Sequence, residues 1–153
     1  MCIFAEIKKT QEMKLTIING PNLNLQGERE QDVYGTETFE GLLRSLRSRY
    51  KDIDFGYYQS NVEGEIINKL QEVGFTCDGI ILNAGGYTHT SVAIRDAVAA
   101  IMAPVVEVHI SNIYAREEFR RTSLISPVCK GTVSGFGLDG YRLAVEALQG
   151  EIG

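Results

Sequence analysis

The stretch Gly79-Ile80-Ile81-Leu82-Asn83-Ala84-Gly85-Gly86-Tyr87-Thr88-His89-Thr90-Ser91, running on into Val92-Ala93-Ile94-Arg95-Asp96, restricts the fold more than any other part of the chain. Its short, continuously apolar start is the pattern of a strand covered on both faces, as in a parallel sheet. The run then breaks into Asn83, two glycines and hydroxyl residues before a helical pattern resumes. In open α/β sheets that strand-to-helix corner is where ligands sit. His89, one of two histidines in the chain, lies in it.

The same alternation recurs along the chain. Leu15-Thr16-Ile17-Ile18 reads as a buried first strand ending at Asn19-Gly20-Pro21-Asn22, and the aperiodic Leu23 to Gly35 that follows is long enough to suggest a functional lid. Thr36 or Thr38 can cap a helix whose Phe39, Leu42, Leu43 and Leu46 share one face. Its acidic residues come early and its basic ones late, as the helix dipole favours. Phe55 to Tyr58 is a second strand, and Ser60-Asn61-Val62-Glu63 has capping-box spacing for a helix through Val73, closed by Gly74. Ala103-Pro104 breaks the third helix, and Val105 to Ile110 is a fourth strand leading into an irregular, charged segment from Tyr114 to Arg121. Gly131 to Val133 is a last strand and Tyr141 to Leu148 a C-terminal helix. The expected architecture is α/β: a flavodoxin-like, doubly wound parallel five-stranded sheet in three α/β/α layers, with loops converging at the carboxyl strand ends.

Composition narrows the function classes. The 153 residues suit one domain over 13–153, large enough for a core without disulfide or metal staples, with residues 1–12 expected as a flexible extension. No run approaches the ~18 apolar residues of a membrane span. The first residues lack the order of a signal peptide, and Cys2, Cys77 and Cys129 have unrelated spacings. Both point to a reducing, cytoplasmic setting with no zinc site. A net charge of -5 disfavours nucleic acid as a partner, while Arg116, Arg120 and Arg121 form a candidate local anion site.

Glu107 and His109 are the clearest anomaly. Two apart on a strand, they share a face and interrupt an apolar run, where an unpaired carboxylate costs several kcal/mol. The economical solution is a hydrogen-bonded pair, either purely structural or with Glu107 orienting His109 as a general acid. A metal would need His89 and a further ligand close by. Arg29 and Tyr34 share the first loop. Bringing a tyrosine from ~10 to near neutrality takes roughly 4 kcal/mol, which a guanidinium about 4 Å away supplies at an effective dielectric near 20. An activated tyrosinate and an ordinary packed pair both fit. Asn22, Asn83, His89, Ser111 and Asn112 all fall at or beyond strand ends, where neutral donors hold a small polyhydroxylated acid. No GxGxxG or Walker sequence occurs, residues 19–24 lack the hydroxyl-rich phosphate loop of a flavodoxin, and Gly131 to Gly135 is not in a GxSxG frame.

The pieces Asn19-Gly20-Pro21-Asn22-Leu23-Asn24, Gly27-Glu28-Arg29-Glu30 with Val33-Tyr34-Gly35, Gln59-Ser60-Asn61, Asn83 to Ser91, Arg95-Asp96, Glu107 to Asn112 and Ala115-Arg116-Glu117 through Arg120 occur in order over nearly the whole chain. In this the chain resembles the type II 3-dehydroquinate dehydratases of the shikimate and quinate pathways. The resemblance implies a hydro-lyase that dehydrates 3-dehydroquinate to 3-dehydroshikimate by anti elimination through an enolate, with no cofactor or metal. By position, Tyr34 would take the C2 proton, activated by Arg29, and His109, oriented by Glu107, would protonate the departing C1 hydroxyl. Asn22 would help stabilise the enolate through a water. Asn83 and the backbone N–H groups of Ile110 and Ser111 would hold the carboxylate, and His89 and Arg120 the ring hydroxyls. It also implies a homo-oligomer of trimers grouped into dodecamers, with Asp96 reaching a neighbouring subunit's site. That agrees with Asp96 lying off the Ile94, Ala97/Val98, Ile101 face of its helix. Gln31 stands where the family usually has proline, which should loosen the lid, and Thr122 replaces a frequent histidine, which puts local contacts there in doubt. A small-acid binding module and a flavodoxin-like electron carrier are the alternatives; the first predicts binding without product, the second a yellow protein.

Overall fold

The computed structural model describes residues 12–26 and 38–152. Five strands, β1 (Met13–Asn19), β2 (Ile53–Gln59), β3 (Gly79–Asn83), β4 (Val105–His109) and β5 (Gly131–Ser134), form one sheet in the order β2-β1-β3-β4-β5. Every neighbouring pair is parallel. Among the described residues four α-helices, α1 (Phe39–Arg49), α2 (Glu63–Val73), α3 (Val92–Ala100) and α4 (Asp139–Ile152), cover its faces. This is the expected flavodoxin-like α/β architecture.

Period-two alternation builds the two layers. Leu15 and Ile17 of β1, Ile81 of β3 and Val106 and Val108 of β4 pack with Phe39, Leu43 and Leu46 of α1 and Tyr141, Ala144, Val145 and Leu148 of α4. Their sheet neighbours Ile18, Ile80, Leu82 and Val105 face Ile66 and Leu70 of α2 and Ile94, Ala97 and Val98 of α3. Covering on both faces is why β3 reads as an unbroken apolar run and β1, from Leu15 to Ile18, as one interrupted only by the buried Thr16; each fully buried Leu or Ile contributes about 1.5–3 kcal/mol. The edge strand β5 instead exposes Gly131 and Thr132.

The helix starts hold one agreement and one correction. Thr38 caps α1, its Oγ1 accepting the Gly41 N–H at 3.2 Å. The expected Ser60–Glu63 capping box does not form. The residue before α2 is Val62, with no side-chain cap, and Ser60 Oγ instead accepts the Val62 N–H at 2.9 Å and donates to Glu65. The Ser60 N–H is committed to the carbonyl of Asn19, at 3.1 Å, so the chain stays tied to the end of β1 and the helix starts later. The C-terminal helix runs longer than expected, from Asp139. Among the described residues no helix is long and apolar enough to cross a membrane. The expected extension lies, but for residue 12, outside the described residues.

Strand order reverses between β1 and β3: one chain leaves towards α1, the other towards α3 on the opposite face. The crevice beyond their carboxyl ends is where such sheets bind ligands.

Candidate active site

Two backbone contacts weld the loops after β1 and β3 together. The Gly20 N–H donates to the Asn83 carbonyl at 2.7 Å. A Cβ on Gly20 would lie 2.6 Å from the Ala84 carbonyl oxygen, so only glycine permits this approach. Asn22 takes a left-handed backbone, φ 68°, with its N–H donated to Asn61 Oδ1 at 2.9 Å. A cleft of about 140 Å³ lies over this junction, lined from the β1 loop by Asn22, from the β3 loop by Asn83 and His89, and beyond β4 by His109, Ile110, Ser111, Arg116 and Arg120.

At its floor Glu107 and His109 point to the same side of β4, 1% and 5% exposed. His109 Nε2 lies 2.9 Å from Glu107 Oε2, while Ser123 Oγ donates to Glu107 Oε1 at 2.7 Å. A carboxylate only accepts, so Nε2 carries the hydrogen and Nδ1 is the ring's remaining nitrogen. Ser123 Oγ is itself held by the Ile125 and Ser126 N–H groups, at 3.2 and 3.0 Å. The anomalous pair of the sequence is thus satisfied on both carboxylate oxygens, as burial demands.

His89 is oriented by a backbone carbonyl: its Nδ1 lies 2.7 Å from Thr122 O, and its ring stacks near that of His109, centroids 6.4 Å apart. The contact uses the main chain of Thr122, so the doubt raised by the unusual side chain there does not touch it. Arg116 Nη1 donates to Ser111 Oγ at 3.3 Å. Arg120 Nε donates to Glu117 on the rim, and that hydrogen bond holds the Glu117 carboxyl below the usual carboxylate range. Among the described residues no acidic side chain lines the cleft, although the chain carries a net charge of -5. Two guanidiniums, two imidazoles and neutral amides make it a site for a small anion. Among the described residues no group of three His, Cys, Asp or Glu side chains is arranged to hold a metal ion.

Of the expected site residues, Asn22, Asn83, His89, His109, Ile110, Ser111 and Arg120 line the cleft, and Glu107 stands behind His109. Asn112 does not take part; its Oδ1 accepts the Tyr114 N–H at 3.1 Å. Of the arginine cluster, Arg116 and Arg120 face the cleft, whereas Arg121 lines a separate hollow behind Glu107. Asp96 lies on α3 away from its own cleft, with its side chain 68% exposed. Arg29, Tyr34 and Gln31 lie outside the described residues. Sequence reasoning missed Ser123 and Tyr141. The Tyr141 hydroxyl accepts from Asn83 Nδ2 at 2.9 Å and donates to Asn19 Oδ1 at 2.8 Å.

Fold and cleft together define a doubly wound α/β enzyme whose site lies beyond β1, β3 and β4 and carries the cationic and amide groups that suit a small anion. Residues 13–149 match the family model described as dehydroquinase class II. A 3-dehydroquinate dehydratase from Campylobacter jejuni is 54% identical over 135 residues, covering 87% of this chain and 85% of that protein. One from Fusobacterium nucleatum is 56% identical over 138 residues, covering 87% and 94%. The crystal structure of a type II dehydroquinase from Butyrivibrio crossotus superposes with a TM-score of 0.87 at 48% identity, over 90% of this chain and 98% of that one. The chain belongs to the class II dehydroquinase family.

Proposed function

We propose that this protein is a 3-dehydroquinate dehydratase, a hydro-lyase that interconverts 3-dehydroquinate and 3-dehydroshikimate. The observation that carries the reading is the buried Glu107–His109 pair at the floor of a cleft that, among the described residues, carries guanidiniums and no carboxylate. Tyr34, kept deprotonated by the charge of Arg29, removes the C2 proton and leaves an enolate, which Asn22 helps stabilise through a water. His109, fixed by Glu107 through Nε2 and carrying a second proton on Nδ1, gives that Nδ1 proton to the C1 hydroxyl as the C1–O bond breaks; the C1=C2 double bond forms and water departs. The proton on Tyr34 returns to His109 through solvent before the next turnover. Asn83 and the Ile110 and Ser111 N–H groups bind the carboxylate, and His89 and Arg120 the ring hydroxyls.

An exposed Asp96, turned from its own cleft, fits a role in a neighbouring subunit's site, within trimers grouped into a dodecamer. The small soluble substrate suits a cytoplasmic enzyme. Incubation with 3-dehydroquinate tests the reading: the conjugated enone of the product should appear in the ultraviolet. Binding without an enone would reduce the protein to a small-acid binding module and overturn it.

A further inference from the structure

We infer that Tyr141 is a positioning residue for substrate, because its buried hydroxyl fixes which end of the Asn83 carboxamide meets the cleft. The inference rests on the reading above, in which Asn83 binds the substrate carboxylate.

Asn83 is 4% exposed and lies at the cleft wall. A carboxamide in such a place is useful only if its direction is set, since its oxygen would repel the carboxylate that its N–H attracts. One anchor is the Gly85 main chain, whose N–H donates to Asn83 Oδ1 at 3.1 Å. A backbone N–H cannot reverse, so it holds the oxygen on that side. The other anchor is Tyr141. Its proton goes to Asn19 Oδ1 at 2.8 Å, which leaves its oxygen to accept from Asn83 Nδ2 at 2.9 Å. Asn19 is directed in turn, its Nδ2 donating to the Tyr57 hydroxyl at 3.3 Å. The chain of donors therefore runs one way, and a reversed Asn83 would set donor against donor at Gly85.

Tyr141 is suited to this. It is 0% exposed, sits edge-on to Phe39 with centroids 5.2 Å apart, and burial pushes its hydroxyl above the ordinary tyrosine range. It stays a neutral donor and acceptor at any working pH. One Asn83 N–H is used by Tyr141, which leaves the second for the cleft.

The test is steady-state kinetics with 3-dehydroquinate on Tyr141→Phe and Asn83→Ala, singly and combined. Asn83 binds ground state and transition state alike, so Tyr141→Phe should raise KM about tenfold with kcat within about twofold. In the Asn83→Ala background the same change should leave KM unaltered, because the effect passes through Asn83. An unchanged KM in the single variant, or an equal rise in both backgrounds, would overturn the inference. If Tyr141→Phe does not fold, Asn19→Ala, which removes the acceptor of the Tyr141 proton, should show the same KM rise, and normal KM there overturns it equally. Wild-type protein in the same assay separates the two ideas: no turnover would sink the function itself and this inference with it, whereas normal wild-type turnover with normal variant KM sinks only the role of Tyr141.

Discussion

Glu107 Oε2 and His109 Nε2 lie 2.9 Å apart on one face of β4, with the other carboxylate oxygen held by Ser123. Two residues of spacing on a strand suffice to make the pair, but the partner that completes it comes from the loop beyond β4. The imidazole is thereby held at one nitrogen and free to work with the other.

Glu107→Gln keeps the shape of that holder while removing its charge, and the reversed amide can present a donor to Nε2. Kcat for 3-dehydroquinate should fall by about 10²–10⁴-fold, the range general-acid catalysis supplies, with the circular dichroism spectrum unchanged. His109→Ala should fall at least as far. A kcat within threefold of wild type in His109→Ala would remove His109 from the proton chemistry, and in Glu107→Gln would remove Glu107 as its holder.

Ser123→Ala leaves a buried carboxylate oxygen and two N–H groups short of a partner. The expected cost is about 1–3 kcal/mol of unfolding free energy, read from a urea titration. The kcat loss should be smaller than in Glu107→Gln, because the direct Glu107–His109 contact remains. Equal losses in the two variants would mean that Ser123, not Glu107, sets the imidazole.

The fold was legible because its signals are local. Largely apolar runs at β1 and β3 mark double-sided burial, and the cap at Thr38 acts within one helical turn. Glu107 and His109 were legible for the same reason. What failed was whatever depends on distant partners. Ser60 has capping-box spacing, yet a hydrogen bond to Asn19 on the neighbouring strand, 41 residues earlier in the chain, decides its conformation. Tyr141 reads as one more core aromatic on a helical face; its hydroxyl finds Asn83 and Asn19 at sequence separations of 58 and 122, which no periodicity reveals.

Gly20 is a site where one methyl group should matter. Its Cβ would meet the Ala84 backbone at 2.6 Å, and neither partner is a side chain that could swing away. Gly20→Ala should separate the β1 and β3 loops, lowering the thermal midpoint by several degrees through about 1–3 kcal/mol of overpacking. KM should rise with it, since Asn22 and Asn83 sit on the two displaced loops. Wild-type KM and midpoint together would show that the junction tolerates the shift.

Burial, and secondarily the charge of Glu107, push the Cys129 thiol from 9.0 up to about 12. The folded state therefore holds this proton more tightly than the unfolded one. Its contribution to stability is complete below pH 9 and is lost as pH rises towards 12. At pH 8 the thiolate fraction drops about a thousandfold, so iodoacetamide should alkylate Cys129 about that much more slowly than free cysteine. Mass spectrometry of the peptide reads the rate, and Glu107→Gln should quicken it. Alkylation at the free-cysteine rate would contradict the shift.

Asp96 supplies the sharpest test of assembly. Exposed on α3 and absent from the lining of its own cleft, it completes a site only if a second copy brings its cleft alongside. Asp96→Ala and His109→Ala should then each be nearly inactive alone, yet complement one another when dissociated, mixed and reassembled. A site needs an intact His109 from its own subunit and an intact Asp96 from its neighbour; with random mixing of equal amounts, about a quarter of sites meet both conditions, as expected for a closed cyclic assembly. Activity of the mixture should climb towards that share of wild type. Were Asp96 to serve its own subunit, every site would carry one defect whatever its neighbours, and mixing would recover nothing.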